Sequence, residues 1–275
     1  MALICAYPMY QMPELERCID AWWQGVYRHL IKQDSNLNLV ITLPKRLTQP
    51  KNYYAHWRDD QLLLSQTCGF PLTHDLLGQV QYVATQSYQT PFNHGPTYTS
   101  VVLVRNTDTV LHIKDLFQTR IAVNSDDSQS GYHALRGLIA PLAQGKAFFS
   151  EVVRSLSHRK SMALVVEGRA DACAVDCVTY SLLQAHAPLE IANLRILATT
   201  PSAPCLPYIT SLSTPPEVLA TLQLGLISAA LDPTLQSVRN QLLMGPVSIL
   251  TGPKPYQEIA RQASKADALG YKALI

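Results

Sequence analysis

Apolar positions recur along this chain with two different periods. From Pro13-Glu14 onward, Leu15, Cys18, Ile19, Trp22, Val26, Leu30 and Ile31 keep a helical spacing for about five turns, which predicts a long amphipathic helix opened by a proline. Short apolar runs predict strands at Leu3 to Ala6, Leu37-Asn38-Leu39-Val40-Ile41 and Gln61 to Ser65. Between the last two, Tyr53, Tyr54 and Trp57 predict a helical turn or loop folded onto the core. Near Gly95-Pro96 the character changes, and the β-branched density of Tyr98 to Arg105 predicts a long strand bridging two lobes. After Ile113-Lys114-Asp115-Leu116 strands and helices alternate. Strand 120–123 is followed by helix 131–143, a strand at Val152-Val153 after Phe148-Phe149, helix 158–168, strand 171–175 and helix 177–186, a pattern of parallel βαβ units. Extended segments at Arg195 to Ala198 and Tyr208 to Ser211 then lead to helices at Pro216–Leu231, Thr234 to Leu243 and Tyr256 to Leu269. The fold class is α/β in two lobes, each a mainly parallel sheet flanked by helices. Residues 1–100 and 201–275 form a discontinuous first lobe, and residues 101–200 form an inserted second.

Composition narrows the function. At 275 residues and 47% hydrophobic content the chain can bury a large core near the size where one core gives way to two. A net charge of +2 with no Lys/Arg run gives a nucleic-acid role little support. No apolar stretch reaches the ~18 residues of a membrane span. Met1 to Ala6 lacks the basic start and long apolar region of a leader and reads as a strand. The expected compartment is periplasmic if a leader has been removed and cytoplasmic if Met1 is the native start. The six cysteines are spread through apolar segments and read as buried free thiols. Cys173 and Cys177 are separated by a strand end, so no metal pair is expected, and no cofactor.

Candidate chemistry gathers where strands end. Asn124-Ser125-Asp126-Asp127-Ser128-Gln129-Ser130-Gly131-Tyr132 joins an apolar strand to a helix. Small hydroxyl residues and a glycine there make either an ordinary N-cap or a cradle for an oxyanion at the electropositive helix start. Ser65-Gln66-Thr67-Cys68-Gly69 follows a buried strand at its carboxyl end, where open α/β sheets bind ligands, although a plain turn needs no ligand. Ser157-His158 opens another helix, as a cap with a solvent-facing histidine or as a cap with an anion donor. Asp176 caps the helix after Ala172-Cys173-Ala174-Val175 and can also face a ligand cation. The charges of Glu167-Gly168-Arg169-Ala170-Asp171 are read as solvated.

Taken in order, these residues resemble the solute-binding proteins of phosphate/phosphonate-type ABC transporters, a branch of the type 2 periplasmic-binding-protein fold. The resemblance rests on Pro8-Met9-Tyr10, Ser65 to Gly69, Gly95-Pro96-Thr97-Tyr98-Thr99-Ser100, Ala122-Val123-Asn124 with Asp127 to Gly131, Ser157-His158, and Glu167 to Asp171 with Val175-Asp176. It covers about the first 210 residues; the helical tail matches only in pattern. What it implies is a monomeric two-lobed receptor that closes by a hinge over a small oxyanion in an interlobe cleft, with an ABC permease as partner. The anion contacts it implies are Ser128, Gln129, Ser130 and Gly131, with His158 as a charge-assisted donor. Gln66 and Thr67 come from the opposite lobe, Tyr10 and Tyr98 wall the cleft, and Asp176 meets a cationic or hydroxyl end of the ligand. Gln129 interrupts the hydroxyl run usual in phosphonate receptors, which leaves the anion open among phosphonate, phosphate and their relatives. A cytosolic ligand sensor of the same fold is the alternative. An enzyme is another: Cys68 as nucleophile, with His94 or His158 as base, would need a lowered thiol pKa and a nearby base.

Overall fold

A computed structural model describes residues 3–37 and 42–275. In chain order the main elements are β1 (Ile4–Ala6), α1 (Glu16–Leu37), β2 (Leu62–Gln66), β3 (Val80–Tyr88), β4 (Ser100–Arg105), β5 (Arg120–Val123), α2 (Ala134–Ala143), β6 (Glu151–Arg154) and α3 (His158–Val166). They continue with β7 (Ala172–Asp176), α4 (Cys177–His186), β8 (Leu194–Thr199), β9 (Pro207–Ser211), α5 (Pro216–Leu231), β10 (Met244–Ser248) and α6 (Gln257–Ala268). The chain divides into two compact units, Met1–Gln89 with Pro204–Tyr256, and Thr90–Ala203 with Gln257–Ile275.

The first unit holds a five-stranded sheet in the order β1-β2-β9-β3-β10. β1 and β2 are parallel, while β9 runs antiparallel to both β2 and β3. Three strands, β1, β2 and β3, therefore end at the same edge. Leu62, Leu63 and Leu64 are all buried, so β2 carries apolar residues on both faces, as a covered strand must. The 3-10 turn Pro13–Leu15 buries Leu15, and helix α1 after it buries Ile19, Trp22, Trp23, Val26 and Leu30. It packs on α5, where Gly225 admits the Leu30 side chain: a β-carbon at Gly225 would lie 2.4 Å from Leu30 Cδ2.

In the second unit the sheet order is β6-β5-β7-β4-β8. β6, β5 and β7 are mutually parallel, and β4 pairs antiparallel with β7 and β8. Its core joins Val102, Val104, Ile121 and Val123 of the sheet to Leu135 and Ile139 of α2, with Phe148 and Phe149 closing one end. The last helix belongs here. Arg136 of α2, 3% exposed, donates to the Ala263, Tyr271 and Lys272 carbonyls and pairs with Asp267 at 2.5 Å. Residues 257–275, expected with the first lobe, thus pack in the second unit because a buried guanidinium gathers their carbonyls.

Several expected elements differ in detail. Leu37 ends α1 rather than starting a strand, and the rest of the strand expected at 37–41 lies outside the described residues. The long strand at Tyr98 to Arg105 is two pieces, Thr97–Tyr98 and β4. Phe148 and Phe149 precede β6 in a loop, their N–H groups donating to the Ile275 carbonyl. The charges of 167–171 are not simply solvated: Asp171 accepts from the guanidinium and backbone N–H of Arg120 and from Arg105, which hold its carboxyl at about 2. Among the described residues no single helix is long and apolar enough to cross a membrane.

Candidate ligand-binding site

Three parallel strands of the second unit deliver their carboxyl ends to one place. β5 leads into the loop 124–128, β6 into Ser155-Leu156-Ser157 and then α3, and β7 ends on Asp176. Such an edge is where open α/β sheets bind ligands, because each following helix starts there with N–H groups lacking intrahelical acceptors.

After β5 the chain winds a wide turn, Gln129–His133, before α2 begins. The N–H groups of Tyr132 and His133 both donate to the Ser128 carbonyl, at 3.2 and 3.0 Å, so the first turn is π-like and broader than an α-turn. Ser128 Oγ accepts from the Gly131 N–H at 3.0 Å, a normal cap. Both readings of this segment therefore hold in part: Ser128 caps the helix and engages the Gly131 N–H, while the turn positions buried Gln129 and Ser130 ahead of it. Gly131 is needed for space. A β-carbon there would lie 1.9 Å from Asn124 Oδ1 and 3.0 Å from His158 Cε1, so only glycine lets those two side chains close over the turn.

Ser130 Oγ and His158 Nε2 share a hydrogen bond of 2.9 Å. His158 opens α3 behind the Ser157 cap, whose hydroxyl accepts from the Lys160 N–H at 3.2 Å. The approach to it is fixed by Ser155, whose hydroxyl bonds to the Val123 carbonyl, the Ser157 carbonyl and Ser161 Oγ. His158 Nε2 also lies 3.4 Å from Asp176 Oδ2. Asp176 caps α4: Oδ1 accepts from the Thr179 N–H at 2.8 Å and Oδ2 from Thr179 Oγ1 at 2.5 Å. Its register partner across the sheet is Ser100. Burial lowers the His158 pKa below its usual value, opposed by the Asp176 charge and the Ala174 carbonyl, so the ring is neutral at pH 7.

A serine, a histidine and a carboxylate in contact invite comparison with a nucleophilic relay. In such a relay the serine and the carboxylate bind opposite ring nitrogens. Here both approach Nε2, so the ring cannot pass a proton between them. Cys68 belongs to the first unit and caps the short helix Gly69–Thr73.

The first unit has a polar rim of its own at the shared end of β1, β2 and β3. Gln66 Nε2 donates to the Tyr88 hydroxyl at 3.3 Å, and Tyr10 meets the Tyr88 ring edge-on at 5.1 Å. Thr67 is fully buried, its N–H donating to the Pro207 carbonyl and its hydroxyl to the Cys68 carbonyl. Tyr98, in the second unit, is buried two residues before Ser100. Of the expected contacts, Gln129, Ser130, Gly131, His158 and Asp176 come together, as do Tyr10 and Gln66. Sequence reasoning missed Thr179 and Tyr88, and it named Asn124 only as the first residue of the cradle loop, without a contact of its own. Thr179 was legible as the third residue of a helix capped by aspartate.

A family model described as "ABC transporter, phosphonate, periplasmic substrate-binding protein" matches residues 61–248, which includes the cradle, His158 and Asp176. The chain belongs to this phosphonate-binding family. It is a solute-binding receptor of the ABC-transporter type. Solved structures agree in fold. A binding protein component of an ABC phosphonate transporter from Pseudomonas aeruginosa superposes with a TM-score of 0.76 at 12% identity, covering 98% of this chain and 87% of that one. PhnD1 from Prochlorococcus marinus, in complex with methylphosphonate, gives 0.74 at 17% identity, covering 97% and 98%. A Xanthomonas citri protein bound to ATP gives 0.71 at 13% identity, covering 98% and 99%. At these identities the likeness establishes the two-lobed periplasmic-binding-protein fold. No curated protein matches the chain. Membership of the phosphonate-binding family agrees with a binding rather than a catalytic role.

Proposed function

We propose that this phosphonate-family receptor captures a small phosphonate, phosphate or related oxyanion on the second unit. The oxygens rest on the hydroxyl and N–H of Ser130 and on His158. The observation that carries this reading is the convergence of Ser130, His158 and Asp176 from the ends of three different parallel strands. Helix-start dipoles and a hydroxyl donor favour an anion in a buried setting, where each N–H···O contact gains strength from the absence of water. The methylphosphonate held by the Prochlorococcus marinus relative supports the same ligand class. Tyr98, in the second unit, enters the proposal as a further ligand contact. A permease is the partner that membership of an ABC-transporter family implies. The both-on-Nε2 geometry supports binding over catalysis.

A thermal-shift series on protein stripped of ligand by unfolding and refolding tests it. Methylphosphonate, aminoethylphosphonate or phosphate should raise the melting temperature, since a ligand that binds only the native state stabilises by mass action. Ser130→Asp, which places a like charge against the anion, should remove the shift. No response to any of these anions in the wild-type chain overturns the proposal.

A further inference from the structure

The turn that carries Ser130 is poised between two helical geometries. The Ser128 carbonyl is shared by the Tyr132 N–H, four residues on, and the His133 N–H, five residues on, and the Ala134 N–H likewise reaches five residues back to the Gln129 carbonyl. The first of these bonds belongs to an α-helix. The other two belong to a π-turn, which holds one residue more. Were that residue taken up and the turn made α throughout, residues 129–131 would swing by about 100° around the helix axis, the rotation of one helical residue. Ser130 would then leave His158, which its hydroxyl now meets at 2.9 Å.

The partner that bears on this choice lies 142 residues away: the Tyr132 hydroxyl accepts from the Leu274 N–H at 3.1 Å in a buried setting. The Tyr132 ring, 7% exposed, shares its core with Tyr271 and Leu274. The segment 271–275 is itself fixed at several points. Arg136, one helical turn after Tyr132, donates to the Tyr271 and Lys272 carbonyls. The Tyr271 hydroxyl donates to the Ile275 carbonyl and accepts from the Ile275 N–H, and Phe148 and Phe149, beyond the other end of α2, donate to the same carbonyl. The segment is thus a strap along α2. The extra residue of the turn is trapped between two anchors, Ser130 on His158 before it and Tyr132 on the strap after it. Withdrawing Tyr132 would leave the Leu274 N–H buried without its acceptor, so the strap opposes relaxation of the turn.

Resting on the ligand-binding reading above, we infer that Tyr132 is a positioning residue for the anion site: through it the strap 271–275 keeps the turn wide and Ser130 aimed at His158. Tyr132 acts through the turn, without contacting the anion. Linkage makes the effect reciprocal, because whatever the strap adds to anion affinity, bound anion adds to the hold on the strap. Residues remote in sequence from the site thereby respond to its occupancy. A purely structural tie behaves differently: its loss lowers the melting temperature and leaves affinity unchanged, and the strap is held equally with and without anion.

Two measurements separate these roles. In titration calorimetry with methylphosphonate, Tyr132→Phe, which deletes only the hydroxyl, should bind about fivefold more weakly than the wild type, since affinity scales with the share of molecules in the competent form. Tyr271→Phe, which loosens the strap at Ile275 and leaves the turn itself untouched, should weaken binding about twofold. In NMR-detected hydrogen exchange of the wild type, saturating methylphosphonate should slow the Leu274 amide about fivefold, and the slowing should be lost in Tyr132→Phe. Should Tyr132→Phe not fold, Tyr271→Phe and the wild-type exchange decide. Unchanged affinity in folded Tyr132→Phe, or a Leu274 amide indifferent to methylphosphonate in a wild type that binds it, overturns the inference and leaves oxyanion binding standing. No binding of methylphosphonate or phosphate by the wild type overturns the ligand reading, and this inference with it.

Discussion

Gly131 shows how much of this site depends on a single absent atom. With the Asn124 carboxamide and the His158 ring both within contact of the missing β-carbon, Gly131→Ala must push one of them away. We expect that substitution to lower anion affinity at least tenfold while moving the melting temperature little, because the displaced groups line the cradle rather than the core; calorimetry beside a melting curve checks this. Histidine 158 carries a second expectation. Burial holds its pKa below the ordinary 6.5, so between 6.5 and the folded value the unfolded chain binds more protons than the native one. Stability therefore falls as pH drops through that window. Buried His56 of the first unit adds a slope of the same sign. His158→Gln should remove part of the loss, read as melting temperature against pH from 7.5 to 5 without ligand. The residue types at the cradle were legible from the chain because caps and strand ends have short-range signatures. The sharing of His158 Nε2 between Ser130 and Asp176 was not, since it joins residues from three βα connections.

Among the elements, those with a clean period could be read from the chain and those with buried polar residues could not. α4 and α5 fall where the pattern predicts, at Cys177–His186 and Pro216–Leu231. β3 escaped because Thr85, Gln86 and Ser87 interrupt its apolar run, yet all three are buried. Their polarity is met by distant partners: Gln86 donates to the Gly245 carbonyl and Thr85 bonds the Tyr256 hydroxyl. β10 escaped because Gly245 and Pro246 read as a turn. Asp171, directly before β7, was read as solvated for the converse reason: its partners Arg105 and Arg120 lie 66 and 51 residues away. Because its folded pKa of about 2 lies below the ordinary 3.8, the stability it contributes is present above pH 3.8 and lost as pH falls toward 2. The shift corresponds to about 2 kcal/mol, somewhat less after allowance for its partial exposure. Asp171→Asn should cost about 1–2 kcal/mol in urea unfolding at pH 7 and roughly a third of that at pH 2.5.

At the scale of the whole molecule, the alternation of strands and helices pointed to two α/β units, and two five-stranded sheets are present. The path between them was harder to read. The chain passes from one unit to the other after Gln89, after Ala203 and after Tyr256, and the last passage hands α6 to the second unit. That assignment rests on Arg136, a charged residue in an otherwise apolar helix face, which sequence reading assigns to solvent until its carbonyl partners are known. Each sheet, taken by itself, directs the carboxyl ends of three strands to one of its own edges, and the family match includes residues of both units. The central claim is that the edge of the second unit holds a small oxyanion. Titration calorimetry of the stripped wild-type chain with methylphosphonate at pH 6, beside Ser130→Asp, tests it most directly. The account predicts saturable one-to-one binding to the wild type and none to the variant; equal binding by both, or none by the wild type to methylphosphonate or phosphate, would contradict it.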